Sequence, residues 1–155
     1  MSNLQRTLTI PAPAAAVWNT LKDFGGIHRW HPKVERSPLL SSNNEGLGAE
    51  RVCHFHDGTS VREEIVEYID GQRMRVSLSE FSMPLERADA ILEVRAVSAT
   101  SSEVTMTMDY DVKYGPLGWV MNNLMMQPML GKLLGQILES LGEHVVSDGV
   151  SARAA

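Results

Sequence analysis

Cysteine is nearly missing from this chain. Cys53 stands alone among 155 residues, so no internal disulfide can form and a reducing compartment suits the protein. No apolar run approaches the roughly 18 residues that a membrane-spanning helix needs, and the opening MSNLQRTLTIPAP has no apolar core of signal-peptide length. The expectation is a cytoplasmic protein without stable membrane insertion. Basic clusters are absent as well. With 14 Lys and Arg against 19 Asp and Glu, the net charge is −5, and no Lys/Arg patch is placed to track phosphates, so no nucleic-acid partner is expected. No phosphate loop, metal cage or nucleophile–base pair can be read, and neither a cofactor nor a metal is expected. Aromatic residues make up only 6%, whereas methionine is abundant at nine. Methionine fills irregular apolar space, which leaves two readings: a core packed with a flexible filler, or a deformable apolar cavity.

What is present is alternating pattern followed by one long apolar helix. The length fits one domain over residues 1–147, with 148–155 as a frayed tail. Leu4 to Ile10 alternate as a strand, ended by Pro11 and Pro13. Pro13 opens a short helix to about Asp23, with Val17, Trp18, Leu21 and Phe24 on one side, and a second short helix or turn covers Ile27–Trp30. Six further strands are predicted at Val34–Leu40, Ala49–His56, Ser60–Tyr68, Arg73–Ser79, Arg87–Val97 and Val104–Tyr114, separated by turn residues such as Asp57-Gly58 and Asp70-Gly71.

Beyond Gly115, Leu130, Leu133, Leu134, Ile137, Leu138, Leu141 and Val145 recur at three- and four-residue steps, one stripe of a helix running to about Val146. Leu117, Val120, Met121 and Leu124 do not project smoothly onto that stripe. Pro128 removes a helical hydrogen bond, so a break is predicted near Gln127, with Pro128 in the first turn of the long helix. A seven-stranded antiparallel sheet has one face to cover, and this helix alone is long enough to cover it. The fold class is therefore α+β, a curved sheet wrapped around one C-terminal helix.

That arrangement resembles the helix-grip fold of the START-like, Bet v 1-like superfamily, in its bacterial polyketide cyclase/dehydrase-like branch. The likeness is carried by Thr9-Ile10-Pro11-Ala12-Pro13 with Val17-Trp18, by Phe24-Gly25-Gly26 with Arg29-Trp30-His31-Pro32, and by Gly48-x-x-Arg51, Gly58, Glu64 and Gly115-Pro116-Leu117-Gly118. It runs from about residue 4 to 147. The resemblance implies a large cavity between sheet and C-terminal helix that takes lipids, sterols, polyketides or hormones. Fold alone does not say which.

The polar candidates follow from the strand pattern. If Asp57-Gly58 forms a two-residue hairpin, Arg51 lies opposite Glu64 and Cys53 opposite Arg62, with Val52, His54, His56 and Glu63 on the other face. Arg51–Glu64 then reads either as a solvent-facing ion pair or as the polar end of the cavity; in the relatives a glutamate at the matching place tends to face inward. His54, His56 and Glu63 make a two-histidine, one-carboxylate set, but no further strong ligand is placed beside it. Cys53 reads as a small buried hydrophobe. Trp30 and His31 form either a staple or a wall of the cavity entrance, and Tyr110 is either core or a phenol offered to the cavity.

Three functions stay open at this point. The first is binding or transport of a hydrophobic small molecule, with a cavity lined by Met74, Val76, Ala90, Leu92, Met106, Met108, Met125, Met129 and Leu133, and Trp30, His31, Arg51, Glu64 and Tyr110 supplying polarity. The second is a polyketide cyclase or dehydratase in which His31, Tyr110 or Glu64 moves protons. The third, as in chaperone-cofactor relatives, is protein interaction, which requires an exposed apolar patch that the pattern does not locate. The chain is expected to act as a monomer or homodimer.

Overall fold

Alternation along the strands sorts the chain into a sheet with one apolar face. The computed structural model describes residues 2–154. It contains β1 (Ser2–Ile10), α1 (Ala14–Lys22), a 3-10 segment (Phe24–Arg29), β2 (Val34–Arg36), β3 (Glu50–Phe55), β4 (Ser60–Ile69), β5 (Arg73–Ser79), β6 (Leu85–Ser98) and β7 (Ser101–Val112). The chain then continues as α2 (Gly115–Met121), a π-helical segment (Asn122–Met126) and α3 (Gln127–Ala154). The seven strands form one antiparallel sheet in the order β1-β7-β6-β5-β4-β3-β2. β2 stops at Arg36, short of the expected Leu40, because Pro38 follows; only a single bridge, Leu39 to Arg51, carries the pairing on.

The inner face of the sheet presents Met74, Val76, Ala90, Leu92, Met106 and Met108, all buried, to α3. In register, Met74 lies beside Leu92, Val76 beside Ala90, and these in turn beside Met106 and Met108. From the other side α3 buries Leu130, Leu134, Ile137, Leu138, Leu141 and Val145, each contributing about 1.5–3 kcal/mol of apolar transfer. The opposite face of the sheet is a lattice of charges in which Arg75 reaches Asp89 at 2.8 Å and Arg87 reaches Asp111 at 3.2 Å. Apart from Arg51 and Glu63, acid and base thus sort to one face and hydrocarbon to the other, as alternation demands.

Three expectations need correction. The turn after β3 is a three-residue loop: the Phe55 N–H donates to Thr59 (2.9 Å), the Gly58 N–H donates to Phe55 (3.0 Å), and Gly58 takes φ +91°. Asp-Gly serves this loop as well as a two-residue turn, glycine supplying the left-handed residue. The register therefore slips by one. Arg51 pairs with Glu63, not Glu64, and Cys53 with Val61, not Arg62, which exchanges the faces of β4. The helix does not break near Gln127. It widens one turn earlier into the π segment, where the Gln127 N–H donates to the Asn122 carbonyl five residues back, and Pro128 sits just beyond. Finally, α3 runs on to Ala154, past the helix end expected at about Val146.

Candidate functional site

The inner face carries a polar corner where β3 and β4 meet the 3-10 segment. Arg51, on β3, is buried and donates from Nε to Glu63 Oε2 at 2.9 Å and from Nη1 to the Phe24 carbonyl at 2.7 Å; its Nη2 also contacts Glu63. Its guanidinium lies 3.6 Å from the centre of the Phe24 ring. Ion pair, carbonyl and ring together offset the cost of taking this charge out of water. Cys53, one inner position along, has its thiol pushed up to about 12 by burial and by the Glu63 carboxylate, so it is a hydrophobe and no nucleophile at neutral pH.

The 3-10 segment ends by presenting Trp30 and His31. His31 Nδ1 accepts the Lys33 N–H at 3.1 Å, which leaves Nε2 to carry the proton of the neutral ring. Burial first, then the charges of Arg51 and Lys33, lower its pKa to about 4. The ring stands 6.1 Å from Trp30 and 6.4 Å from Phe55, centre to centre. The Trp30 carbonyl accepts from Ser140 Oγ of α3, which ties this corner to the helix. Trp30 Nε1 is buried without any partner among the described residues, and the residue is 7% exposed. By contrast, the Trp18 Nε1 donates to Asp70 at 2.9 Å.

Tyr110 belongs to a second polar cluster, at the other end of the helix. Its hydroxyl donates to Asn122 Oδ1 at 2.6 Å, and Asn122 Nδ2 reaches Ser2 Oγ at 3.0 Å. Burial raises the phenol above its ordinary range. Glu64 lies with neither cluster. The register slip turns it to the outer face beside Glu50 and Arg62, and its proximity to Glu50 raises its pKa. Its place in the interior is taken by Glu63, a residue that the two-residue hairpin hid. The same slip removes Glu63 from His54 and His56, and among the described residues no group of three His, Cys, Asp or Glu side chains is arranged to hold a metal.

Along the helix, Leu133 is partly buried against the core, but Met125 and Met129 face solvent, 69% and 52% exposed. Met126 and Leu130 point inward instead, each one residue, or about 100° of helix, from the exposed methionine before it. Space opens at two margins of α3. A groove of about 520 Å³ between α1, the 3-10 segment and the end of α3 is bordered by Asn19, Asp23, Arg29, Trp30, His144 and Asp148. A second, of about 480 Å³, runs between β1 and α3 past Ile10 and Gly142.

Solved structures with the same architecture are numerous. A protein of Thermobifida fusca, solved by NMR, is 29% identical, superposes with a TM-score of 0.74, and the match covers 94% of this chain and 93% of that one. A protein of Thermus thermophilus is 22% identical at a TM-score of 0.76, covering 95% and 99%. Norcoclaurine synthase of Thalictrum flavum, 15% identical at a TM-score of 0.71 and covering 94% and 87%, shares the fold alone. No curated protein matches the chain. A START superfamily protein of Mycobacterium smegmatis also superposes, at a TM-score of 0.68. The sequence matches one family over residues 1–146, and the chain belongs to it: the polyketide cyclase/dehydrase and lipid transport family.

Proposed function

We propose that the chain binds a hydrophobic small molecule bearing a neutral hydrogen-bond acceptor, held between the inner sheet face and α3 with its polar end at the Trp30–His31–Arg51 corner. One observation carries this reading: the buried indole N–H of Trp30 has no partner among the described residues. An orphaned buried donor costs about 1–3 kcal/mol, a cost that a ligand acceptor would remove. The neighbouring groups agree in sign. His31 offers a second donor at Nε2, and the Arg51 charge is already spent on Glu63, so the corner calls for a carbonyl rather than a carboxylate. Met74, Met106 and Met108 supply side chains that can yield to the apolar body of the ligand.

The cyclase or dehydratase reading is less favoured by the same geometry. A histidine with a pKa of about 4 is a weak base at neutral pH, and the Tyr110 hydroxyl is committed to Asn122 with its own pKa raised.

The test is displacement of 1-anilinonaphthalene-8-sulfonate by a long-chain ketone and by the alkane of equal length. The ketone should bind more tightly to the wild type. Trp30→Phe, which keeps the ring and removes the donor, should lower ketone affinity about tenfold and leave the alkane unchanged. Equal affinity for both probes, or a ketone preference that survives Trp30→Phe, would end this reading.

A further inference from the structure

The stretch from Gly115 to Leu130 is amphipathic the wrong way round. It buries Gly118, Asn122, Met126 and Leu130, a stripe at four-residue steps whose first half is small or polar. Its large apolar side chains point outward: Leu117 and Leu124 are each 73% exposed, Trp119 is 66% exposed, and Val120, Met125 and Met129 join them. The inversion is fixed by contacts on the buried side. A Cβ on Gly118 would run into the Lys113 carbonyl, and Asn122 is bound to Tyr110 and Ser2, so the segment cannot simply roll over. A continuous apolar face of this kind on a folded domain marks a surface that something covers.

Charge identifies the occupant. Between Asp111 and Glu139 the chain has no acidic residue, in a protein whose net charge is −5. The cations that bound the face are Lys113 and Lys132 at its two ends and Arg6, whose guanidinium fills the space left by Gly131. On β4, β5 and β6 the arginines are neutralised, Arg62 by Glu50, Arg73 by Glu67 and Arg95 by Glu103, whereas Lys22, Lys33 and Arg36 are unpaired among the described residues, like the cations of this face, but lie away from it. Arg6, Lys113 and Lys132 have no carboxylate within ion-pair distance among the described residues.

We propose that the outer face of Tyr114–Met129 docks in the plane of an anionic phospholipid surface. Leu117, Leu124 and Met125 enter the acyl boundary, Trp119 and Tyr114 sit at headgroup level, and Arg6, Lys113 and Lys132 meet the phosphates. A second copy of the chain fits less well, since it would set an apolar face rimmed by unpaired cations against the same rim. The contact is interfacial: no helix among the described residues is long and apolar enough to cross a membrane. It does not depend on what the interior binds.

The test is flotation of the full chain with vesicles of phosphatidylcholine alone and with about a third phosphatidylglycerol. The wild type should float with the anionic vesicles and far less with the neutral ones. Trp18 and Trp30 are buried, so quenching of tryptophan emission by brominated phosphatidylcholine reads Trp119 directly and needs no variant. Leu117→Glu with Leu124→Glu should cut the bound fraction at least roughly tenfold, and Lys113→Glu with Lys132→Glu should remove the preference for anionic lipid. The proposal is overturned if the wild type floats with neither vesicle, if brominated lipid leaves its emission unchanged, or if the leucine pair binds like the wild type. A stable dimer in sedimentation velocity that the leucine pair dissociates would overturn it too, assigning the face to a second copy.

Discussion

The two halves of the C-terminal helix obey opposite rules. From Leu130 to Val145 the apolar residues face the sheet and the polar ones face water, so hydrophobic burial holds that half in place. From Gly115 to Met129 most of the large apolar residues face out, and besides Met126 what anchors the half is a glycine-tight backbone contact and the hydrogen bonds of Asn122. One element therefore contains a segment specified by its core and a segment specified by a latch. The lesson is that amphipathicity predicts which side of a helix is buried only where burial is what fixes the helix.

The sharpest way to break this contrast is a pair of equal truncations. Leu134→Ala, in the gripped half, should cost about 2–5 kcal/mol in chemical denaturation, whereas Leu124→Ala should stay within about 0.5 kcal/mol. Equal losses would mean that both halves are core. Acid should act next. His31 has a folded pKa of about 4 against 6.5 unfolded, so the unfolded chain takes up the proton first as pH falls. The stability due to its neutral burial is present above pH 6.5 and is lost as pH falls from there towards 4, by about 3 kcal/mol, and His31→Gln should flatten that slope in a pH series of melts.

Because Ser140 joins α3 to Trp30, amide exchange in acid should quicken around Ser140 before it does around Asn122. Asn122→Ala comes third. It strands the buried Tyr110 hydroxyl, should cost about 1–2 kcal/mol, and should speed exchange in α2 more than in α3. The smallest effect belongs to Met125→Gln, within about 0.5 kcal/mol in lipid-free solution, measured by thermal melting.

Most of the architecture was legible in the order of patterns. Period-two alternation marked the strands, Pro11 and Pro13 closed β1, and the stripe Leu130–Val145 identified the helix that the sheet wraps. The partners across the β3–β4 hairpin were not legible, because Asp57-Gly58 satisfies two loop lengths that differ by one residue. That single residue decides whether Glu63 or Glu64 meets Arg51. Arg51 itself gave no signal of its depth; a lone arginine on a strand normally faces water, and only the Phe24 ring and carbonyl, far away in sequence, make its burial tolerable. Met125 and Met129 were misplaced for a simpler reason. A helix turns about 100° per residue, so burying Met126 and Leu130 turns the methionine before each of them outward.

The π segment also has the geometry of a one-residue insertion in the genetic sense. In an α-helix of 3.6 residues per turn, residues four apart drift round the axis by about 40° at each step, so Gly118, Asn122, Met126 and Leu130 could not all stay against the sheet. The wider turn takes that drift back with one extra residue. Deleting Asn123 would close it to ordinary α-geometry and leave α2 in its present phase, whereas closing the turn with every residue kept would swing α2 round by about 100°. A lineage could thus gain or lose one codon here, the wider turn absorbing the change, and keep the same side chains of α2 turned outward.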